Sequence, residues 1–305
     1  MAIEYALFGK EDAEALSRFS KQFLDPRHPS LRRSLEPEYY LWRNYRNPAG
    51  EGTIILARDN QRLVGCFGIT PKRVTALGRP WLCAEMDDAF VDPLFQGQGI
   101  FRKMVEMAAG EAVRQGIRFL YGTPNEVSCP IFLHRLGFEE VPACHVWLVV
   151  SVCAPFRMAR PVEWKAASQD NPRPQAFEVV HDADYLHWRF RDNPDDYQWI
   201  GGDLVLKAGM WGARRIGYLA DQLSGRGDRL RLLRGLQAAR RYFARQGFPM
   251  VAGWVQTSIL SRRSLWAHGF APCYRKPVVF RSLDSSFHPR ALTEVRFLMG
   301  DSDNI

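Results

Sequence analysis

No stretch of the 305 residues approaches about eighteen uninterrupted apolar positions; the longest candidate, Val146-Trp147-Leu148-Val149-Val150, has the length of a strand. The first residues, Met1-Ala2-Ile3-Glu4-Tyr5, show neither a basic head nor an apolar segment of export length. A membrane span and export are therefore not expected, and a cytoplasmic location is. Cysteine pairs are missing too. The cysteines at 66, 83, 129, 144, 153 and 273 form no C-x-x-C, so neither a zinc site nor a disulfide framework is indicated, and no metal is expected. Four of them sit in apolar, strand-like surroundings, where cysteine behaves as a small hydrophobe. No collagen, coiled-coil or low-complexity period is present.

What is there is ordinary globular composition, with 46% hydrophobic and 24% charged residues. The length favours two domains, and the apolar content suffices for a core in each. The formal net charge is +8. Much of the excess lies between Arg226 and Arg245, which also carries the helical apolar stripe Leu232, Leu236, Ala239 and Phe243. That pattern reads as one solvated basic face over a buried one. Basic and aromatic residues do not interleave on a sheet face, so a nucleic-acid partner is not expected. A positive field would attract a polyphosphate.

The two halves resemble each other faintly. Trp42-Arg43 precedes Asn47-Pro48, and Trp188-Arg189 precedes Asn193-Pro194 with the same spacing. Arg114-Gln115-Gly116 recurs as Arg245-Gln246-Gly247, and Gly137-Phe138 as Gly269-Phe270. A duplicated domain explains all three, with expected units at 1–155 and 156–305. Within the first unit the pattern predicts a helix over 10–23, strands at 53–57 and 63–69 around the Asp59-Asn60 turn, and strands at 73–75 and 80–91. A glycine loop then opens a helix bearing Phe101, Met104, Val105, Ala108 and Ala112 on its apolar face. A strand over 117–121, a short helix over 129–135 and final strands over 138–150 follow. The expected fold class is α/β, with a mixed central sheet flanked by helices.

The informative segment is Val91-Asp92-Pro93-Leu94-Phe95-Gln96-Gly97-Gln98-Gly99-Ile100-Phe101-Arg102-Lys103. Gly97 and Gly99 remove side chains where an anion must touch the backbone. Amides at a helix start carry partial positive charge and cradle phosphate oxygens. Arg102 and Lys103 oppose the helix dipole unless negative charge is bound there. The segment has neither G-x-G-x-x-G nor the Gly-Lys-Ser/Thr ending of a Walker loop.

The segment resembles the acyl-coenzyme A loop of the GCN5-related N-acetyltransferase superfamily, Gln/Arg-x-x-Gly-x-Gly/Ala, matched here as Gln96-x-x-Gly99-x-Phe101. Phe101 stands where the family usually has a small residue. The likeness extends over roughly 1–150, and the second unit resembles a degenerate copy of the same domain. It implies an N-acetyltransferase that moves an acetyl group from acetyl-coenzyme A to the primary amine of a small molecule, by direct attack in a ternary complex. An acyl-coenzyme A sensor without turnover is the alternative, and the protein is expected as a monomer or homodimer. The likeness further implies that the strand before the loop parts from the strand beginning near Ile117, leaving a gap for the pantetheine arm. The main chain of Phe90 and Val91 would line the gap, and Gln96, Gly97, Gln98, Gly99, Ile100, Phe101 and Arg102 would form the phosphate cradle. Asn125 matches the asparagine that family members use near the arm; a plain capping role remains open.

Glu85 lies where some members of that family place the general base. Three carboxylates, Glu85, Asp87 and Asp88, stand in a strand that otherwise reads as core, and buried carboxylates must be used or paired. On strand periodicity Glu85 and Asp87 share a face. Glu85 is the expected base and Asp87 the second choice, with buried pairing to an arginine as the alternative. The family's acid tyrosine is replaced by Leu133, and Tyr121, Ser128, Cys129, His134 and solvent remain as donors. In the second half, Leu223-Ser224-Gly225-Arg226-Gly227-Asp228-Arg229 echoes the loop, but Asp228 would repel phosphate. That half is expected to wall the acceptor pocket, and the tail from Gly300 to fray.

Overall fold

The computed structural model describes residues 2–22, 35–153 and 174–302. In chain order the first half contributes strand β1 (Glu4–Leu7), helices α1 (Ala13–Lys21) and α2 (Pro37–Tyr45), and strands β2 (Thr53–Asp59), β3 (Arg62–Ala76) and β4 (Arg79–Val91). Helix α3 (Ile100–Arg114), strand β5 (Phe119–Gly122), helix α4 (Cys129–Arg135) and strands β6 (Glu139–Glu140) and β7 (Val146–Val152) follow. The second half repeats the plan with β8 (Ala176–Val179), α5 (Ala183–Leu186), β9 (Tyr197–Ile200), β10 (Leu204–Trp211), β11 (Arg214–Gln222), α6 (Arg229–Arg245), β12 (Met250–Gln256), α7 (Arg262–Ala267), β13 (Ala271–Lys276), β14 (Val279–Ser282) and β15 (Glu294–Arg296). The mixed α/β class is as expected. The strands expected at 63–69 and 73–75 are one continuous strand, β3, and the helix α2 carries no clear sequence periodicity because both its faces are buried.

Sheet membership does not follow the expected division at residue 155. The first sheet has nine strands, β1-β2-β3-β4-β5-β14-β6 in line with β8 paired to β3 and β15 paired to β8, and the second runs β13-β7-β12-β11-β10-β9. Strand β14, from the end of the chain, pairs antiparallel with β5 (Phe280 opposite Tyr121) and with β6. Strand β7, from the first half, fills the corresponding slot between β12 and β13 (Val149 opposite Gly253 and Pro272). The first half thus gives the second sheet β7, and the second half gives the first sheet β14 together with β8 and β15, because a central strand needs partners for both of its edges. Periodicity revealed β7 as a strand but carried no information about which sheet it joins.

Helix α3 packs against β2 and β3 over a core that includes Phe67, Met104, Val105 and Leu120. Helix α6 packs its predicted stripe, Leu232, Leu236, Ala239 and Phe243, against β10, β11 and β12. The largest core joins the two sheets and mixes residues of both halves, among them Trp42, Tyr121, Phe177, Trp188, Trp254 and Phe280.

The repeated Trp-Arg landmark explains itself at this junction. Trp42 and Trp188 stack on each other, with centroids 4.8 Å apart and planes 15° from parallel, and Trp42 Nε1 donates to the Trp188 carbonyl at 3.1 Å. Asn47 and Asn193 each accept from the amide two residues on, at Ala49 and Asp195. Arg189 donates to the carbonyls of Gly300 and Ser302, both at 2.8 Å, and Arg226 is ion-paired with buried Asp301. The tail is therefore packed through Ser302 rather than frayed as expected.

The exchange makes a direct expectation about truncation. Residues 1–155 lack β14, which leaves a vacant slot between β5 and β6 and exposes the apolar edge strand β7. Size-exclusion chromatography of that fragment should show aggregate; a monomeric, cooperatively folded fragment would show that the exchanged strands are dispensable.

Candidate active site

The pairing between β4 and β5 is short. They are parallel and in register only at Ala84–Leu120 and Glu85–Tyr121, after which β4 continues to Val91 while β5 ends at Gly122. The two strands part there, and the gap between them leads toward the loop 96–99 and the start of α3. A bulge shapes the free part of β4: the register with β3 shifts between Cys66 and Gly68, and Asp88 takes a left-handed φ of 45°. Phe90 and Val91, paired with β3 at Cys66 and Gly65, lie beyond the end of β5 and are partly exposed.

Gly99, with φ 78°, is the N-cap of α3, and no side chain caps the helix. The amides of Ile100, Phe101 and Arg102 therefore have no helical acceptor. A Cβ built at Gly97 or Gly99 meets nothing within 4 Å. Gln96, Gly97, Gln98 and Arg102 are exposed, and Gln96 Nε2 ties the loop back to the Val91 carbonyl at 3.2 Å. The unusual Phe101 does not block the cradle. Its ring turns into the core and meets Phe67 and Phe132 edge-on, at 5.7 and 5.6 Å.

The corresponding start of α6 is closed. Asp228 caps it by accepting from the Arg231 amide at 2.9 Å, and Arg226 points inward to Asp301. The duplicated loops thus differ in one decisive respect: the first presents its amides to solvent, the second spends them on its own carboxylate.

Glu85 and Asp87 share a face, as strand periodicity requires, but they meet different partners. Glu85 is fully buried and lies 3.7 Å from the ammonium of Lys72, itself buried and set over the rings of Trp188 and Tyr185 at 5.2 and 5.5 Å. Asp87 accepts from the Thr70 hydroxyl and faces Arg43 at 3.4 Å, and Arg43 also holds Asp88. The arginine pairing weighed as an alternative is thus present for Asp87 and Asp88, with Arg43 supplied by the repeated Trp-Arg motif. Tyr121, opposite Glu85, is buried, and burial pushes its hydroxyl well above the usual tyrosine range.

The remaining candidates are scattered. The Asn125 side-chain oxygen accepts from the amides of Val127 and Ser128 and so caps the turn into α4. Cys129 is partly buried, which raises its thiol and leaves it far from thiolate, and His134 is exposed. Leu133, in the place of the family's tyrosine, packs against the core beneath α3. Lys72 escaped sequence reasoning, although it follows Pro71 in a buried strand, a signal in itself.

Two further features lie apart from the gap. His181, Asp221 and Asp301 bring ligand-capable atoms within 4.8 Å of one another, with Arg226 paired to both carboxylates. A cavity of about 630 Å³, lined by Arg79, Trp81, Arg118, Asp284 and Ser286, opens beside Gly116 at the far end of α3. Among the described residues no helix is long and apolar enough to cross a membrane.

A family model described as an acetyltransferase (GNAT) domain matches residues 10–141, the segment that holds the loop, the parted strands and Glu85. Solved structures extend the likeness in fold to both halves. A probable N-acyltransferase from Enterococcus faecalis superposes with a TM-score of 0.59 at 11% identity, over 93% of this chain and 73% of that one. A GCN5-related N-acetyltransferase from Kribbella flavida gives 0.54 at 11%, over 93% and 73%. An N-myristoyltransferase from Saccharomyces cerevisiae with bound myristoyl-CoA gives 0.56 at 11%, over 91% and 82%. No curated protein matches the sequence.

The open cradle is testable without disturbing the backbone. Asn and Asp both tolerate the left-handed conformation at position 99 and differ only in charge. Gly99→Asp should bind coenzyme A at least about tenfold more weakly than Gly99→Asn, since a carboxylate would face the phosphates. Calorimetry on the two variants decides it, and equal affinities would place the phosphates elsewhere.

Proposed function

We propose that this chain is a GNAT acyltransferase and that it moves an acetyl group from acetyl-coenzyme A to the primary amine of a small molecule, with both substrates bound at once. The observation that carries the proposal is the parting of β4 and β5 immediately beyond Glu85 and Tyr121, beside an α3 start with three unclaimed amides. The amides of Ile100, Phe101 and Arg102 suit a pyrophosphate, and the stretch of β4 at Phe90 and Val91, beyond the end of β5, suits the amide-bearing pantetheine arm. Acetyl-coenzyme A supplies the thioester carbonyl that the amine attacks; the chain's own task is to orient the two reactants and remove a proton.

Glu85 is the proposed proton acceptor. Because Glu85 and Lys72 are closed to solvent, an acceptor meets the carboxylate only by entering the junction between the halves. Tyr185 and Trp188, which flank Lys72, belong to the second half, so that half forms part of the acceptor site. Lys72, 3.7 Å from the carboxylate, orients Glu85. Asp87 is assigned to structure: with Arg43 and Thr70 it anchors the bulge that parts β4 from β5.

Glu85→Gln keeps the shape and removes the basicity. Acetyl transfer followed by thiol release should fall by about 10²–10⁴, with the deficit shrinking at high pH, where the acceptor amine is already deprotonated. Coenzyme A affinity should persist. Normal turnover in this variant, with loss in Asp87→Asn, would move the base two residues along the strand.

A further inference from the structure

Helix α6 carries six arginines and α7 two, and neither contains an aspartate or a glutamate. Those eight charges equal the whole formal net charge of the chain, +8. The nearest acid in sequence, Asp228, is spent on capping α6. Elsewhere the outer arginines are matched with carboxylates: Arg58 with Asp12, Arg118 with Asp284, Arg281 with Glu106. Among the described residues no carboxylate is ion-paired with Arg229, Arg234, Arg241, Arg245, Arg262 or Arg263.

The two helices form one face. Leu232 and Leu236 of α6 and Leu265 of α7 enter the same core. Arg229 Nη2 donates to the Ser264 hydroxyl at 3.0 Å, and Arg240 Nη1 donates to the His268 carbonyl at 3.3 Å. Helix α7 therefore lies alongside α6, and on the sides turned from that core Arg229, Arg234, Arg262 and Arg263 are exposed. Two large apolar side chains stand among these charges. Leu230, next to Arg229, and Trp266, two residues beyond Ser264, are each 62% exposed. Either one alone would be ordinary. Together with the arginines they make a surface with two demands, anionic oxygens and an apolar layer.

We propose that the α6–α7 face docks the protein on a bilayer surface rich in anionic phospholipids, with the guanidinium groups among the headgroups and Leu230 and Trp266 at the boundary with the acyl chains. Each basic residue close to such a surface adds attraction, and an indole ring suits the interface. Docking of this kind is peripheral, since neither helix is long and apolar enough to cross a membrane. A nucleic acid meets only the first demand. A single helix, about 10 Å across, fills a major groove about 12 Å wide, so two helices packed side by side do not enter it. A phosphate backbone also offers no apolar layer to Leu230. A second copy of the chain would present the same positive face and be repelled. The face lies wholly in the second half and includes no residue assigned to acetyl-coenzyme A or the acceptor, so this inference stands apart from the acyl-transfer reading.

Flotation of the full chain with lipid vesicles tests the proposal. Vesicles of equal parts phosphatidylcholine and phosphatidylserine should bind at least about tenfold more tightly than phosphatidylcholine alone, and the difference should shrink as salt rises. Replacing Arg234 and Arg263 together by Gln should weaken binding to the anionic vesicles about ten- to thirtyfold. Leu230→Ser combined with Trp266→Ser should weaken it about tenfold and leave the remainder more sensitive to salt. All four side chains are exposed, so the thermal midpoint of each variant should match that of the unchanged chain, which separates lost docking from misfolding. Equal binding to the two kinds of vesicle, or binding to neither, overturns the proposal. It is overturned as well if duplex DNA is held as tightly as the anionic vesicles and the Leu230 and Trp266 substitutions weaken neither, which would assign the face to nucleic acid.

Discussion

Strand β7 leaves the half that encodes it and completes the second sheet, while β14 returns to fill the equivalent slot in the first. Main-chain donors and acceptors in a sheet interior must be paired, so neither half closes its ladder without the other. The exchange holds the sheets in one relative placement and seals the large shared core around the stacked Trp42 and Trp188. Everything proposed for catalysis lies on that seam. Glu85 and Lys72 come from the first half, and Tyr185 and Trp188 from the second.

Duplication supplied two similar frameworks, and small chemical differences gave them different work. At the start of α3 a glycine in a left-handed turn leaves three amides open; at the start of α6 an aspartate claims one for itself. The duplicated arginines diverge likewise. Arg43 neutralises the carboxylates that shape the bulge of β4, whereas Arg189 grips the carbonyls of Gly300 and Ser302 and seats the tail against the second half. A buried charge without a partner is expensive, so each copy retained its arginine only with something to pair it.

Local chemistry alone carried the loop, the amphipathic helices α3 and α6, most strand positions and the duplication itself. These features are written in short-range patterns: glycines where the backbone must be bare, apolar residues at helical or strand spacing, and repeated landmarks at constant offset. Glu85 and Asp87 stood out for the same reason, as charges in an apolar strand. Their separate fates were not legible, because the partners that distinguish them, Lys72 and Arg43, lie 13 and 44 residues away in sequence. Sheet membership crosses the expected boundary in both directions, through β7 one way and β8, β14 and β15 the other. A strand's alternation says that it will be buried, but its hydrogen bonds are the same with any neighbour. Whether β7 pairs at home or across the molecule depends on which edge is vacant once both halves have folded.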